Sequence, residues 1–242
     1  MLRVGGRWCW QDRDYVQHQC ELQSNTEELS SRTSSLPIAK IACDGYNWKR
    51  IMIYITVGCL GFLVIHLFDI VSLRRLPGAK PVTWILGSGL LVYALVMVSL
   101  QSNKLPLPTW STWLGWALLS ISFLLLMYSL FINLPFRKTY IATGIGDRLI
   151  TTGLYALVRH PGVHWFILVL LSLILVSRSS LLLIAAPIFI VLDIVLVILQ
   201  DKFFFSRMFN GYDSYRQETP MLVPSRQSIN AFINSLKQQF RT

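Results

Sequence analysis

Charged residues are scarce in this chain. Only 14% of its 242 residues are Asp, Glu, Lys or Arg, whereas 53% are hydrophobic and the mean hydropathy is +0.51. Soluble globular proteins carry roughly 25% charged residues, because their surfaces need them. The shortage excludes a free soluble enzyme, a disordered tail protein and a fibrous repeat.

Acidic residues are almost absent from the middle of the chain. Between Ile51 and Leu199 only Asp69, Asp147 and Asp193 are acidic. The formal net charge of +10 comes largely from basic residues in short segments between apolar runs. No basic run carries interleaved aromatic residues in a nucleic-acid-binding pattern, so we expect no nucleic-acid partner. Short basic loops are typical of a membrane protein, and we expect a lipid bilayer as its partner.

The sequence also lacks the signatures of a metal site. The four cysteines form no CxxC pair, which argues against a zinc site and a disulfide framework. His160 and His164 are four residues apart, but there is no HExxH pattern and no acidic third ligand nearby. We therefore expect no metal.

Five long apolar runs predict an all-α, polytopic membrane protein with about five transmembrane helices. A bilayer core of about 30 Å needs about 20 helical residues, and four of the runs approach or exceed that length. The fourth run is shorter, and only residues 177–180 separate it from the fifth. This spacing favours a helical hairpin of the last two helices over a single re-entrant element. The runs are Ile51–Leu73, Val82–Leu100, Trp113–Leu134, Gly162–Val176 and Leu181–Leu199.

The pattern divides the chain into a polar N-terminal extension (1–48), a transmembrane domain (49–224) and a C-terminal amphipathic tail (225–242). The tail has apolar residues at helical spacing, so it either lies on the membrane surface or packs back on the domain. Basic residues are in excess in the first loop, the third loop and the start of the tail. This excess predicts that the C-terminus and any site beside the third loop face the cytoplasm.

Ionisable residues inside the apolar runs are expensive in lipid and so suggest function. His66 and Asp69 are three residues apart on one helical face and could pair with each other. Asp193, Gln200 and Asp201 are spaced to face roughly the same way on the last helix. Such a stripe lines a wet cavity or a ligand, or makes hydrogen bonds between helices.

The segment before the fourth run is too polar for the membrane core. Gly153 permits a tight turn, and Tyr155 and Arg159 would stack four apart if the segment is helical. Arg159 and His160 then offer cationic and hydrogen-bonding groups. Pro161 starts the next helix, whose free N–H groups favour an anion. The segment predicts a site for a carboxylate or phosphate beside an apolar cavity.

Two stretches resemble integral-membrane methyltransferases, in particular the isoprenylcysteine carboxyl methyltransferases, with the phospholipid methyltransferases more distant. The first is LITTGLYALVRHP at residues 149–161. The second is QDKFFFSRMFNGYDSYRQETPMLVP at residues 200–224, similar to the family's closing pattern. In that pattern an acidic pair precedes a Phe-rich stretch, a Tyr-x-x-Tyr and a Pro-x-x-x-Pro end. Gln200 and Asp201 stand at the acidic pair.

The resemblance implies an S-adenosylmethionine-dependent methyltransferase, with the cofactor between the segment before the fourth helix and the end of the last helix. The residues it assigns to catalysis are Arg159 and Asp201. The residues it assigns to cofactor binding are Arg148, Leu149, Ile150, Tyr155, His160, Pro161 and Gln200.

The methyl acceptor is left open as a small or lipidic thiol, carboxylate or amine. Prenylcysteine enzymes place an Arg one turn before the acidic pair, where this chain has Leu196. Two other functions remain open. Sterol reductases share an Arg-His-Pro element and use NADPH, and a non-catalytic membrane protein could retain the same scaffold.

Overall fold

The computed structural model describes residues 2–4, 7–9, 48–76, 78–101, 104–134, 139–140 and 149–239. Contacts divide the chain into two units, Met1–Lys49 and Arg50–Thr242. In the first unit, strands β1 (Leu2–Val4) and β2 (Arg7–Cys9) form an antiparallel hairpin in which Leu2 pairs with Cys9. The candidate site residues all belong to the second unit.

Helices make up nearly all of the described second unit. They are α1 Trp48–Arg74, α2 Ala79–Ser99, α3 Thr109–Met127, α4 Leu154–Leu157, α5 Pro161–Ser177, α6 Ser180–Leu199, α7 Phe205–Met208, α8 Tyr212–Glu218 and α9 Arg226–Gln239. Two π-helical turns, Tyr128–Ile132 and Gln200–Phe204, continue α3 and α6.

Four helical segments are long and apolar enough to cross a bilayer, judged by length and composition. They are Met52–Arg74, Ala79–Ser99, Thr109–Ile132 and Ser180–Met208. Helix α5 is apolar but has 17 residues, which rise about 26 Å. The prediction of an all-α, polytopic membrane protein is confirmed.

The outer surface of these helices is apolar. Leu63, Val82 and Trp113 expose 61%, 61% and 75% of their surface. Water would penalise such a surface, but lipid tails do not. The exposed side chains therefore fit helices that face a bilayer.

The predicted hairpin between the last two long helices is present, with a tight turn at Arg178 and Ser179. Arg178 adopts a left-handed backbone conformation (φ 54°), and its carbonyl accepts a hydrogen bond from the Leu105 N–H at 2.6 Å. The Ser179 hydroxyl accepts from the Leu182 N–H at 3.3 Å and donates to the Val98 carbonyl at 2.7 Å. Ser179 thus caps α6 and ties it to α2.

Small residues let helices α1, α2 and α6 approach closely. A Cβ atom on Gly61 would lie 3.1 Å from the Gly87 carbonyl of α2. A Cβ atom on Gly58 would overlap the Phe189 ring of α6, at 2.4 Å. Close backbone approach of this kind is how membrane helices gain packing without a hydrophobic driving force.

Helices α1 and α6 run in the same direction, and this brings polar residues of both together. Gly58 lies against Phe189 near the middle of the helices, and Asp69 lies against Gln200 towards their ends. The end of α3 and the start of α5 also lie together. Ser129 follows α3 and Tyr155 precedes α5, and the Tyr155 hydroxyl donates a hydrogen bond to the Ser129 carbonyl. We call this the site end of the bundle.

The C-terminal helix α9 packs on α4. The Gly153 N–H donates to the Ser235 hydroxyl at 2.8 Å, which fixes the two elements together. Helix α9 thus packs against the domain, one of the two positions that the amphipathic pattern left open. Ile229 and Ile233 remain exposed on its other side, each at 42%.

Candidate functional site

The segment that precedes α5 is held by a turn that only glycine accommodates well. Gly153 has φ 63° and ψ −136°, a backbone conformation outside the regions open to other residues. A Cβ atom there would also lie 2.9 Å from the side-chain oxygen of Asn133. The tight turn that the sequence predicts at Gly153 is therefore present, and it directs the chain into α4.

The helix that would stack Tyr155 on Arg159 does not extend as far as Arg159. Helix α4 is a single turn that ends at Leu157, and Val158 is extended (φ −147°, ψ 154°). His160 precedes a proline, which disfavours helical conformation at that position. The Arg159 and His160 N–H groups instead donate to the carbonyls of Pro220 and Met221, at 3.0 and 3.2 Å. This short extended pairing fixes the Arg-His-Pro segment against the C-terminal chain.

A buried carboxylate, Asp201, collects four side chains at the site end. The Arg159 Nη1 atom lies 2.7 Å from Asp201 Oδ1, and the Arg216 Nε atom lies 3.6 Å from Oδ2. The Tyr212 hydroxyl donates a hydrogen bond to Oδ1. The His160 Nε2 atom is 3.6 Å from the same oxygen. We call Arg159, His160, Asp201, Tyr212 and Arg216 the Asp201 cluster.

Most of the Asp201 cluster is buried, and some of its polar atoms lack a hydrogen-bond partner among the described residues. Asp201 and Tyr212 are 3% and 2% exposed, whereas the Arg216 side chain remains 43% exposed. Arg159 Nε is buried and has no hydrogen-bond partner among the described residues, and the buried His160 Nε2 atom makes no hydrogen bond at its 3.6 Å distance from Asp201 Oδ1. The His160 ring stacks on the Phe205 ring, with 5.6 Å between the ring centres. Buried donors without partners are uncommon and point to a missing acceptor.

A second buried carboxylate, Asp69, belongs to α1. The Gln200 Nε2 atom donates to both of its oxygens, at 3.2 and 3.0 Å. His66 Nδ1 lies 3.6 Å from Asp69 Oδ2, so the two residues suggested as a pair by their spacing lie within ion-pair distance, without a hydrogen bond between them. We call His66, Asp69 and Gln200 the Asp69 cluster.

A π-helical turn joins the two clusters. Gln200 and Asp201 are its first two residues. Gln200 donates to the Asp69 carboxylate, whereas Asp201 pairs with the Arg159 guanidinium. Turns of this type are rare and occur frequently at functional sites. Asp193, expected on the same stripe, has its Oδ2 atom buried without a hydrogen-bond partner among the described residues.

Buried tyrosines brace the site. The Tyr155 hydroxyl donates to the Ser129 carbonyl at 3.1 Å, and the Tyr215 hydroxyl donates to the Tyr155 carbonyl at 2.6 Å. Burial raises the pKa of all three phenols, Tyr155, Tyr212 and Tyr215, and the Asp201 carboxylate raises that of Tyr212 further. The three phenols therefore remain neutral hydrogen-bond donors at neutral pH.

Comparison with known proteins gives a family but no activity. Residues 83–218, more than half of the chain, match the family described as a protein of unknown function, DUF1295. The chain belongs to the DUF1295 family. No curated protein and no solved structure matches the chain.

The DUF1295 match contains the whole Asp201 cluster, but it begins after His66 and Asp69. Within it, the structure brings together three of the predicted residues, Arg159, His160 and Asp201. Pro161 is buried as the first residue of α5. Gln200 turns instead to Asp69, which lies outside the matched region.

The remaining predicted residues lie further from the Asp201 carboxylate or cannot be placed. Tyr155 connects to the Asp201 cluster through Tyr215, whose ring is 5.9 Å from that of Tyr212. Leu149 and Ile150 are irregular and half-buried. Arg148, which the resemblance assigns to cofactor binding, lies outside the described residues.

Sequence reasoning did not assign Tyr212 and Arg216 to the candidate site. Tyr212 and Tyr215 were noticeable as a Tyr-x-x-Tyr pattern, which indicates one helical face. Arg216 follows directly and resembles any basic residue of a tail. Only the fold places it beside Asp201.

Proposed function

We propose that this protein is a membrane-embedded S-adenosylmethionine-dependent methyltransferase with its cofactor at the Asp201 cluster. The observation that carries the proposal is the gathering of the buried Arg159 and His160 side chains around Asp201, with Arg159 Nε left without a hydrogen-bond partner among the described residues. These residues belong to the two stretches that resemble membrane methyltransferases. The acceptor class comprises small or lipidic thiols, carboxylates and amines.

The residues fit the charges of this cofactor. Its carboxylate suits the unpartnered Nε of Arg159 and the exposed Arg216, and its cationic groups suit a region that holds two carboxylates. The two clusters together contribute two guanidinium groups and two carboxylates, Asp69 and Asp201. A site with this balance favours a zwitterionic cation over a polyanion such as NADPH.

When bound, S-adenosylmethionine supplies an electrophilic methyl group on a sulfonium that is already a good leaving group. The protein then has to bind the cofactor and the acceptor, align them, and keep water out of the site. The backbone pairing at Pro220 and Met221 fixes Arg159 and His160, and the ion pair with Asp201 fixes the guanidinium. Tyr212, a neutral donor, holds the Asp201 carboxylate.

Calorimetric titration of the detergent-purified protein with S-adenosylmethionine and with NADPH tests the proposal. We expect S-adenosylmethionine to bind and Arg216→Gln to weaken its binding about 10- to 100-fold, the loss of a hydrogen bond to a charged group. Arg216 is the suitable target because its exposed side chain can be removed without leaving a buried hole.

Arg207→Gln is the matched control, because Arg207 is an exposed basic residue of the neighbouring helix α7. Equal affinities of the two variants would place the cofactor elsewhere. Binding of NADPH alone would favour the reductase function. Binding of neither compound at millimolar concentration would favour a non-catalytic scaffold.

A further inference from the structure

Helix α9 has more apolar surface than its contact with the domain covers. The side that contacts the domain includes Ser235, which bonds the Gly153 N–H, and the half-buried Phe232. Ile229 and Ile233 lie beyond the edge of this side, and each is 42% exposed. The apolar face of α9 is therefore wider than its packing on α4 requires, which indicates a second apolar surroundings for the two isoleucines.

Two basic residues lie on the same face as the exposed isoleucines. Each helical residue turns about 100°, so Arg226, Ile229, Ile233 and Lys237 fall within an arc of about 80°. We call these four residues the α9 stripe. Both basic side chains are exposed, and none of the 14 residues of α9 is acidic. Apolar side chains between cationic ones complement a bilayer surface that carries anionic lipids.

The position of α9 in the fold brings the α9 stripe close to the boundary of the bilayer. Its bond from Ser235 fixes α9 to Gly153, at the start of the segment that leads into α5. Helix α5 begins at Pro161 and rises about 26 Å, slightly less than a bilayer core of about 30 Å. The segment that holds α9 therefore leaves the apolar layer near the headgroups, where the lipid-facing surface of the long helices ends.

We propose that α9 docks on the surface of the membrane that the bundle spans, with anionic lipids as its partner. Ile229 and Ile233 enter the boundary between headgroups and acyl chains, and Arg226 and Lys237 extend to the lipid phosphates. Ala231, which is exposed about 160° around the helix from both isoleucines, faces water. The inference does not depend on the proposed methyl transfer, because it concerns only how the site end meets the membrane.

Nitroxide labels on single cysteines test the docking in the full-length protein, introduced into a variant that lacks the native cysteines. Ile233→Cys places the label on the α9 stripe, and Ala231→Cys is the matched control on the water side. The protein is reconstituted in vesicles of phosphatidylcholine with about 30% phosphatidylglycerol. Oxygen concentrates in lipid, whereas a nickel chelate stays in water. We therefore expect the ratio of oxygen to nickel collisions to be at least about 5-fold higher for Ile233→Cys than for Ala231→Cys.

Removal of charge tests the role of the anionic headgroups. In the Ile233→Cys protein, Arg226→Gln combined with Lys237→Gln should lower the collision ratio about 3-fold or more, because the electrostatic attraction is lost. Vesicles of phosphatidylcholine alone should lower it similarly. Lys202→Gln combined with Arg207→Gln removes the same charge from exposed positions outside α9, and this control should leave the ratio unchanged.

Three outcomes would overturn the inference. Equal collision ratios for Ile233→Cys and Ala231→Cys would mean that the isoleucines face water. Few collisions with either oxygen or nickel at Ile233→Cys would indicate a protein cover, such as a second copy of the chain. A ratio that neither lipid composition nor charge removal alters would exclude anionic lipids as the partner. If the label at Ile233→Cys disturbs α9, Ile229→Cys provides a second reporter on the same stripe and should show the same dependence.

Discussion

At Gly153, a single residue makes both the turn before α4 and a hydrogen bond to the C-terminal helix. Its backbone conformation excludes a side chain, and its N–H is bonded to Ser235 of the C-terminal helix. The sequence indicated a turn there, but not that the turn faces Asn133 or receives α9. Those contacts join segments that are far apart in the chain.

We expect Gly153→Ala to lower the free energy of unfolding by about 1–3 kcal/mol, because the backbone conformation is strained for alanine and the new Cβ would meet Asn133. Chemical unfolding in detergent measures this. Gly89→Ala, in α2 with open space around its Cβ, should be neutral or stabilising by about 0.5–1 kcal/mol. A Gly153 variant as stable as the Gly89 variant would contradict the strained turn.

At the scale of elements, the polar residues between α5 and α6 predict a turn but not the helix that packs beside it. Residues 177–180 predicted the turn, and the turn is there. The bond from Ser179 to the Val98 carbonyl of α2 could not be predicted, because it depends on which helix lies beside the turn.

Replacement of Ser179 by alanine should therefore destabilise the protein by about 1–2 kcal/mol, since both the helix cap and the bond to α2 are lost. The same unfolding measurement checks it. Ser120→Ala serves as control, because the exposed Ser120 hydroxyl bonds only the Trp116 carbonyl of its own helix. Equal effects of the two variants would mean that the Ser179 contacts contribute nothing.

The π-helical turn at Gln200 is an element that hydrophobic periodicity does not reveal. Regular spacing put Asp193, Gln200 and Asp201 on one stripe, yet Gln200 bonds Asp69 while Asp201 pairs with Arg159. Consecutive helical residues point about 100° apart, so a stripe drawn from spacing does not tell which partner Gln200 and Asp201 each reach.

For the whole molecule, the helix contacts fix which loops share an end of the bundle. The loop after α1 and the chain after α6 lie at the site end, since Asp69 meets Gln200. Lys104 lies at the opposite end, where it pairs with Ser179. The excess of basic residues predicts that the site end faces the cytoplasm.

Single cysteines, introduced into a variant that lacks the native cysteines, should therefore show which positions lie on the same side of a sealed vesicle. A membrane-impermeant maleimide is expected to label Arg75→Cys and Ser214→Cys from the same side, and Lys104→Cys from the other. All three positions are exposed. Labelling of Arg75→Cys and Lys104→Cys from the same side would contradict the arrangement of the bundle.

The pH dependence of stability is also a property of the whole molecule. Burial raises the pKa of Tyr140, Tyr155, Tyr212 and Tyr215 above the ordinary value of about 10. The unfolded chain loses these protons at about pH 10 and the folded chain keeps them, so their contribution to stability is present below that pH and is lost above it.

Thermal unfolding in detergent, followed together with the ultraviolet absorbance of tyrosinate, checks this dependence. We expect these phenols to leave the unfolding temperature unchanged from neutral pH to about pH 9 and to lower it above about pH 10. Ionisation of all nine tyrosines near pH 10 in the folded protein would contradict their burial.

The sequence by itself determined the membrane class, the number and approximate limits of the long helices, and the stretch that carries Arg159 and His160. These follow from local properties: apolar run length, scarce charge and the backbone preferences of glycine and proline. Only the tertiary structure decided that Arg159, His160, Tyr212 and Arg216 share one carboxylate, and that Gln200 holds Asp69. Those partnerships depend on helix direction, close packing at glycines and one π-helical turn, none of which periodicity encodes.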